Sequence, residues 1–165
     1  MKMPDTEDML ASVERLLGRT PDDNELRSFL QQLGKWPVPE FGPEELTIYL
    51  EDKARGFCLV FDDSSTVRHP IAANKSPQTA IFVGCFFYSE GVDGYHAFTG
   101  SLPYGITWSD NSTTTVSKIG PPKHEIKNKN TGLLSSHRWQ VGQWMLTVRY
   151  KGGGSSIRHI HLGII

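Results

Sequence analysis

Residues 88–122, YSEGVDGYHAFTGSLPYGITWSDNSTTTVSKIGPP, join the end of a strongly apolar strand to a long loop punctuated by glycine and proline. A short capped helical turn follows and stops at Gly120-Pro121-Pro122. This segment organises the fold because strand-forming sequence lies on both sides of it. On its N-terminal side, residues 79–88 (TAIFVGCFFY) are the most apolar run of the chain. Alternate residues of a strand point to opposite faces. Ile81, Val83, Cys85 and Phe87 fall on one face, Phe82, Phe86 and Tyr88 on the other. Apolar residues on both faces mark a central strand covered, at least in part, on both sides. Gly84 in its middle suits a bulge or a close backbone approach. Within the segment itself, residues 109–119 read as a helix, with Ser109 or Asp110 as the cap. Its interior, NSTTTVSK, has poor helix propensity, so packing of Val116 and Ile119 has to hold it.

Toward the N-terminus, residues 46–51 and 56–61 flank a charged turn and read as a hairpin. Residues 6–17 (TEDMLASVERLL) read as a helix capped by Thr6. Met9, Leu10, Val13, Leu16 and Leu17 form one apolar stripe, and Gly18 ends it. A second helix starts at Pro21 or Asp22, with Thr20 as N-cap and Pro21 at the first helical position. It runs to Leu33 and presents Leu26, Phe29, Leu30 and Leu33. Between the helices and the strands lies KWPVPEFGP (35–43), in which three prolines forbid regular structure. Trp36 and Phe41 pin this connector to the core.

Toward the C-terminus, residues 121–136 are polar and basic and read as a mobile loop. Residues 137–141, 143–151 and 157–162 then read as strands, the last two joined by a flexible Gly152-Gly153-Gly154-Ser155 loop. Trp144, Leu146, Val148 and Tyr150 alternate with Met145, Thr147 and Arg149, the period of a half-buried strand. The fold expected is α+β in a single domain over 1–165. A helical hairpin (1–34) and a Pro-rich connector (35–45) precede a five- to six-stranded, mainly antiparallel sheet (46–165). One short helix is inserted near 109–119.

A net charge of −1 conceals a polarity along the chain. Residues 1–63 hold fourteen acidic and seven basic side chains, whereas residues 64–165 hold four acidic and ten basic ones. All six histidines fall in the second part. The excess is too small to point to nucleic acid, for which a domain pI above about 9 is usual. Two cysteines without C-x-x-C spacing are no disulfide framework. The start, MKMPDTEDML, has no apolar signal core, and no run reaches the roughly 20 apolar residues of a membrane span. A cytoplasmic location without membrane contact is expected.

The order of elements, with Leu102-Pro103-Tyr104-Gly105-Ile106, Ser109-Asp110, Val116, Ile119-Gly120-Pro121 and residues 157–162, resembles a group of small bacterial α+β proteins. These look like proteins carried in mobile gene cassettes (integron cassettes) or beside polymorphic toxins, where some act as immunity factors. The resemblance implies a partner-binding protein and assigns no catalytic residue. A fainter similarity to a small outer-membrane-assembly lipoprotein fold runs from Gly105-Ile106-Thr107-Trp108-Ser109-Asp110 to Ile119-Gly120-Pro121-Pro122. The chain has no lipobox cysteine to support it.

Several groups bear on chemistry. His159 and His161, two apart on a strand, share a face and form the beginning of a metal site. His137, His124 or Glu125 would have to complete it, and a small metal-dependent hydrolase is the enzymatic alternative. His96 lies near Glu90, Asp93 and Tyr95, but no activated nucleophile accompanies it and G-x-S-x-G is absent. The glycine run lacks the Lys-Ser/Thr of a phosphate loop. Arg138, Trp139, Trp144, Arg149, Tyr150, Lys151 and Arg158 concentrate the residue types of interface anchors, which would also stack on single-stranded bases. The first expectation is non-enzymatic protein binding without a cofactor. The candidate contacts are Tyr95, Tyr104, Trp108, Lys123, Lys127, Lys129, Arg138 and Trp139. Single-stranded nucleic-acid binding is a weaker alternative. Homodimerisation through a sheet edge is compatible with each reading.

Overall fold

The computed structural model describes residues 9–164. Its order of elements is helix α1 (Met9–Leu16), α2 (Asn24–Gln32), strands β1 (Thr47–Asp52), β2 (Phe57–Asp63) and β3 (Ala80–Tyr88), helix α3 (Ser112–Ile119), and strands β4 (His124–Lys127), β5 (Leu134–Val141), β6 (Trp144–Lys151) and β7 (Ser156–Ile164). The α+β class is as the sequence indicates. The sheet, however, has seven strands in the order β1-β2-β3-β7-β6-β5-β4, every neighbouring pair antiparallel. The additional strand is β4, which lies within the segment read as a mobile loop. Three of its four residues are exposed, so it has no apolar alternation to betray it. Backbone pairing to β5, from His124 opposite Arg138 onward, is what orders it.

The helices cover one face of the sheet. Val13 and Leu16 of α1 and Leu26 and Leu30 of α2 are fully buried, in one cluster with Phe57, Leu59, Phe61, Phe82, Phe87, Leu146 and Ile160. Gly18 ends α1 with a positive φ of 87°. Its N–H then donates to the Phe82 carbonyl, and the Phe82 N–H donates to Arg19, which ties the helical pair to β3. The start of α2 differs from expectation. Asp23, not Thr20, is the N-cap, and its carboxylate accepts from the Glu25 and Leu26 amides at 3.0 Å. The carboxylate also meets Arg19 at 3.1 Å, a second partner that a Thr20 cap would lack. Thr6, the expected cap of α1, lies outside the described residues.

Helix α3 is capped by Asn111 rather than Ser109 or Asp110. The Asn111 side chain accepts from the Thr114 amide, while the Thr114 hydroxyl accepts from the Asn111 amide, a reciprocal capping box. Asp110 instead takes the Thr107 amide at 2.8 Å and the Lys118 ammonium at 2.7 Å, and so folds the preceding turn against the helix. Thr115, fully buried, returns its hydroxyl to the Asn111 carbonyl.

Two bulges alter the parity of the sheet. On β3, Phe82 pairs Phe61 and Gly84 pairs Val60, which leaves Val83 unpaired. Phe82 therefore joins Cys85 and Phe87 in the helix-covered core, and Val83 lies with Phe86 beside one surface recess. Strict alternation put Val83 and Phe82 the other way round. On β7, Ile157 pairs Tyr150 and His159 pairs Arg149, which leaves Arg158 unpaired. Ser89, just beyond the end of β3, holds that bulge: its amide and its hydroxyl both donate to the Arg158 carbonyl, at 3.1 and 2.9 Å.

Candidate functional site: the open face of the sheet

Among the described elements, no helix covers the second face of the sheet. Register defines what it displays. One row runs from Cys58 through Phe86, His161, Thr147 and Arg138 to His124. The next runs from Tyr88 through His159 and Arg149 to Ser136. Phe86 is the hub. Its ring centroid lies 4.4 Å from that of His161, 5.3 Å from His159 and 6.0 Å from Tyr88. A third row contains Gly84 opposite Gly163. A Cβ on Gly84 would come within 2.5 Å of His161 Nε2, and one on Gly163 within 2.6 Å of His161 Cε1. The two glycines thus form a bare floor on which the His161 imidazole lies, the close approach that Gly84 suggested.

Tyr95 folds over one side of this cluster. Its ring stacks on Tyr88 at 3.8 Å with planes 11° apart, and its hydroxyl donates to Glu51 at 2.9 Å. Burial and that bond to a carboxylate both raise its pKa. Burial pushes the Tyr88 phenol up to about 12 and the Cys58 thiol up to about 11. All three shifts favour the protonated phenols and thiol at neutral pH. Burial also lowers both imidazoles to about 4. Arg149 and Arg158 add to the effect on His159, and His159 adds to it on His161. Both rings are neutral at pH 7, and His159 Nδ1 is buried without a hydrogen-bond partner.

Two recesses flank the cluster. One, of about 450 Å³, has Val60, Val83, Phe86 and His161 in its lining and Arg68 and Asp62 among its polar groups. The other, of about 400 Å³, lies at the β7 bulge between Arg149, Arg158 and His159. Volumes of this size suit small ligands or side chains of a partner.

His159 and His161 share a face, as their spacing requires. The third ligands considered do not join them. His137 is 4% exposed on the helix side, where Nε2 meets Glu125 at 3.1 Å and Nδ1 meets the Tyr150 hydroxyl at 3.0 Å. His124 stands at the edge of the sheet, opposite Arg138. Among the described residues, no three His, Cys, Asp or Glu side chains converge as a metal site requires. His96 pairs with Glu90 at 3.1 Å on the surface.

The expected contact residues divide. Trp139 is buried on the helix side, with Nε1 donating to the Gly120 carbonyl, so it is core. Trp108 is half-buried and donates to Phe98, and Tyr95 is buried over Tyr88. Tyr104 is exposed, with a φ of 56°. Lys123, Lys127, Lys129 and Arg138 are exposed at the β4–β5 end. There Lys123 reaches Gln140 and Lys127 lies 3.6 Å from Glu125. Sequence reasoning missed Phe86 and Tyr88 as surface aromatics, because an apolar strand reads as buried on both sides. Comparison of the chain with family models, curated proteins and solved structures finds no match.

Proposed function

We propose that this chain is a non-enzymatic binding protein, of the immunity or adaptor kind, that takes an acidic protein partner on the open face of its sheet. The observation that carries this reading is the uncovered aromatic row. Phe86, Tyr88, His159 and His161 sit partly exposed at the centre of the sheet. Neutral rings of this kind fill a partner's pockets at low desolvation cost, the usual chemistry of interface anchors. Arg138 and Arg149 extend the same face toward β4 with no acidic partner within 4.0 Å among the described residues. With Lys123, Lys127 and Lys129 they give one end a positive field, which steers association and sets specificity.

The test is capture of a partner with the purified chain, followed by affinity measurements on the identified protein. Reversing Lys123, Lys127 and Lys129 to Glu is expected to weaken binding and flatten its salt dependence. Phe86→Ala is expected to speed dissociation. Unchanged affinity and salt dependence in the reversed variant, with Phe86→Ala also silent, sinks the reading. Single-stranded nucleic acid is the second reading, favoured by stackable rings beside arginines on an open sheet. It demands a steep fall of affinity with salt.

A further inference from the structure

We propose that the recess at the β7 bulge, between Arg149, Arg158 and His159, is a binding site for a phosphate group. The site shares Arg149 and His159 with the partner face proposed above but does not rest on that reading.

The bulge makes the site. In regular pairing, residues 158 and 159 would face opposite sides of the sheet. The extra residue turns Arg158 so that it lines the same recess as Arg149 and His159. Bulges that re-aim a side chain in this way recur beside functional sites. This one is fixed by two hydrogen bonds from Ser89, which is itself 6% exposed. Asp93, held at a φ of 51°, positions the Arg158 guanidinium through a 2.9 Å bond to Nη2. Arg149 has no acidic side chain within ion-pairing distance among the described residues, and Asp93 is the one acid in the lining. Two guanidiniums against one carboxylate leave a net positive recess.

The rest of the lining suits a small oxyanion. Thr131 and Ser135 bring hydroxyls, and the Gly152-Gly153 turn brings backbone. A phosphate accepts from several directions at once and takes guanidinium forks bidentately. The neutral His159 ring carries one N–H to donate. The two arginines that help to keep this ring neutral report the positive potential that an anion would relieve.

The experiment is an NMR titration of the intact chain with inorganic phosphate, against chloride at matched ionic strength. It follows the arginine side-chain N–H signals and the His159 ring. Saturable shifts confined to Arg149, Arg158 and His159 are expected, with a Kd of order millimolar. Bound phosphate raises the His159 pKa toward its ordinary value, a signature that a structural role alone would not give. Arg149→Gln, an exposed change that leaves the fold intact, is expected to weaken binding by about tenfold or more. Arg138→Gln, on the same face but outside the recess, leaves it unchanged. Two further probes separate the sources of phosphate. If glycerol phosphate matches a short single-stranded oligonucleotide, the ligand is a small phosphorylated molecule. If the oligonucleotide binds about a hundredfold tighter, with affinity falling steeply in salt, the ligand is a nucleic-acid backbone. Both outcomes support the site. Shifts that chloride reproduces, absence of saturation at about 50 mM phosphate, or equal binding by Arg149→Gln overturn it.

Discussion

Acidification from pH 7.5 to pH 5 is expected to weaken the fold steeply, and the cause is His159 and His161. Each imidazole has an ordinary pKa of 6.5 and a folded value of about 4. Both values are depressed, so the fold holds the neutral form. As pH falls through 6.5 the unfolded chain takes up protons while the folded chain does not, and stability drops. It is fully present above the unfolded pKa and falls until pH reaches about 4, where the folded rings protonate in turn. A shift of this size corresponds to about 3 kcal/mol per histidine. The two rings flank Phe86 on one face, so their protons bind as a coupled pair. With two protons taken up by the unfolded chain and none by the folded one, the slope approaches a limit of about 2.7 kcal/mol per pH unit. Between pH 7.5 and pH 5 the two rings together remove about 4 kcal/mol, a large part of a usual domain stability of roughly 5–15 kcal/mol.

Urea melts at half-unit steps from pH 5 to 8 measure this slope. His161→Gln is expected to about halve it, and a His159/His161→Gln pair to flatten it. The buried carboxylates do not confuse the window. Asp63, lowered chiefly by the Ser65 amide, sits below the ordinary carboxylate range and releases its contribution only at lower pH. Equal stability at pH 5.5 and 7.5 would refute the reasoning. So would His159 and His161 ring signals that titrate in the folded chain with midpoints near 6.5.

Three further outcomes follow from local contacts. Asp23→Ala removes the cap of α2 and both amide bonds, and a cost of about 1 kcal/mol is expected in the urea midpoint. Gly84→Ala sets a methyl against His161 Nε2. A loss of about 1–3 kcal/mol is expected, together with an upward move of the His161 pKa as the ring lifts toward water. Leu146→Ala truncates a fully buried core side chain on β6, for a loss of about 2–5 kcal/mol in calorimetry or urea melts.

Much of the fold was legible because its signals are local. The stripes of α1 and α2, the glycine stop at Gly18, the alternation from Trp144 to Tyr150 and the Gly152–Gly154 turn each act within a few residues. The charge polarity also acquires a place. With order β1-β2-β3-β7-β6-β5-β4, the acidic first part supplies one end of the sheet and the basic second part the other. What escaped was β4. His124, Glu125 and Lys127 carry no apolar pattern, and only the partner strand β5 makes them a strand. The caps of α2 and α3 shifted by one to three positions. Asp23 and Asn111 have more amides within reach than the Thr20 or Ser109 that a pattern would choose.

The site escaped for a different reason. Reading a strand assigns faces by counting in twos, and one unpaired residue reverses the count for everything beyond it. At Val83 this reversal sends Phe82 into the helix-covered core and leaves Phe86 and Tyr88 on the open side with Val83. At Arg158 it brings two arginines and a histidine around one recess, where counting would have separated them. Gly84, beside the unpaired Val83, is the local mark of the first bulge, and no glycine marks the second. Phe82, next to the first, is tied to Gly18 and Arg19, and Arg158, in the second, is held by Ser89, some seventy residues away along the chain. Both constraints are tertiary. The features that give this sheet its chemistry are the ones that no window of local sequence contains, and the aromatic row and the arginine recess exist only once β3 and β7 are side by side.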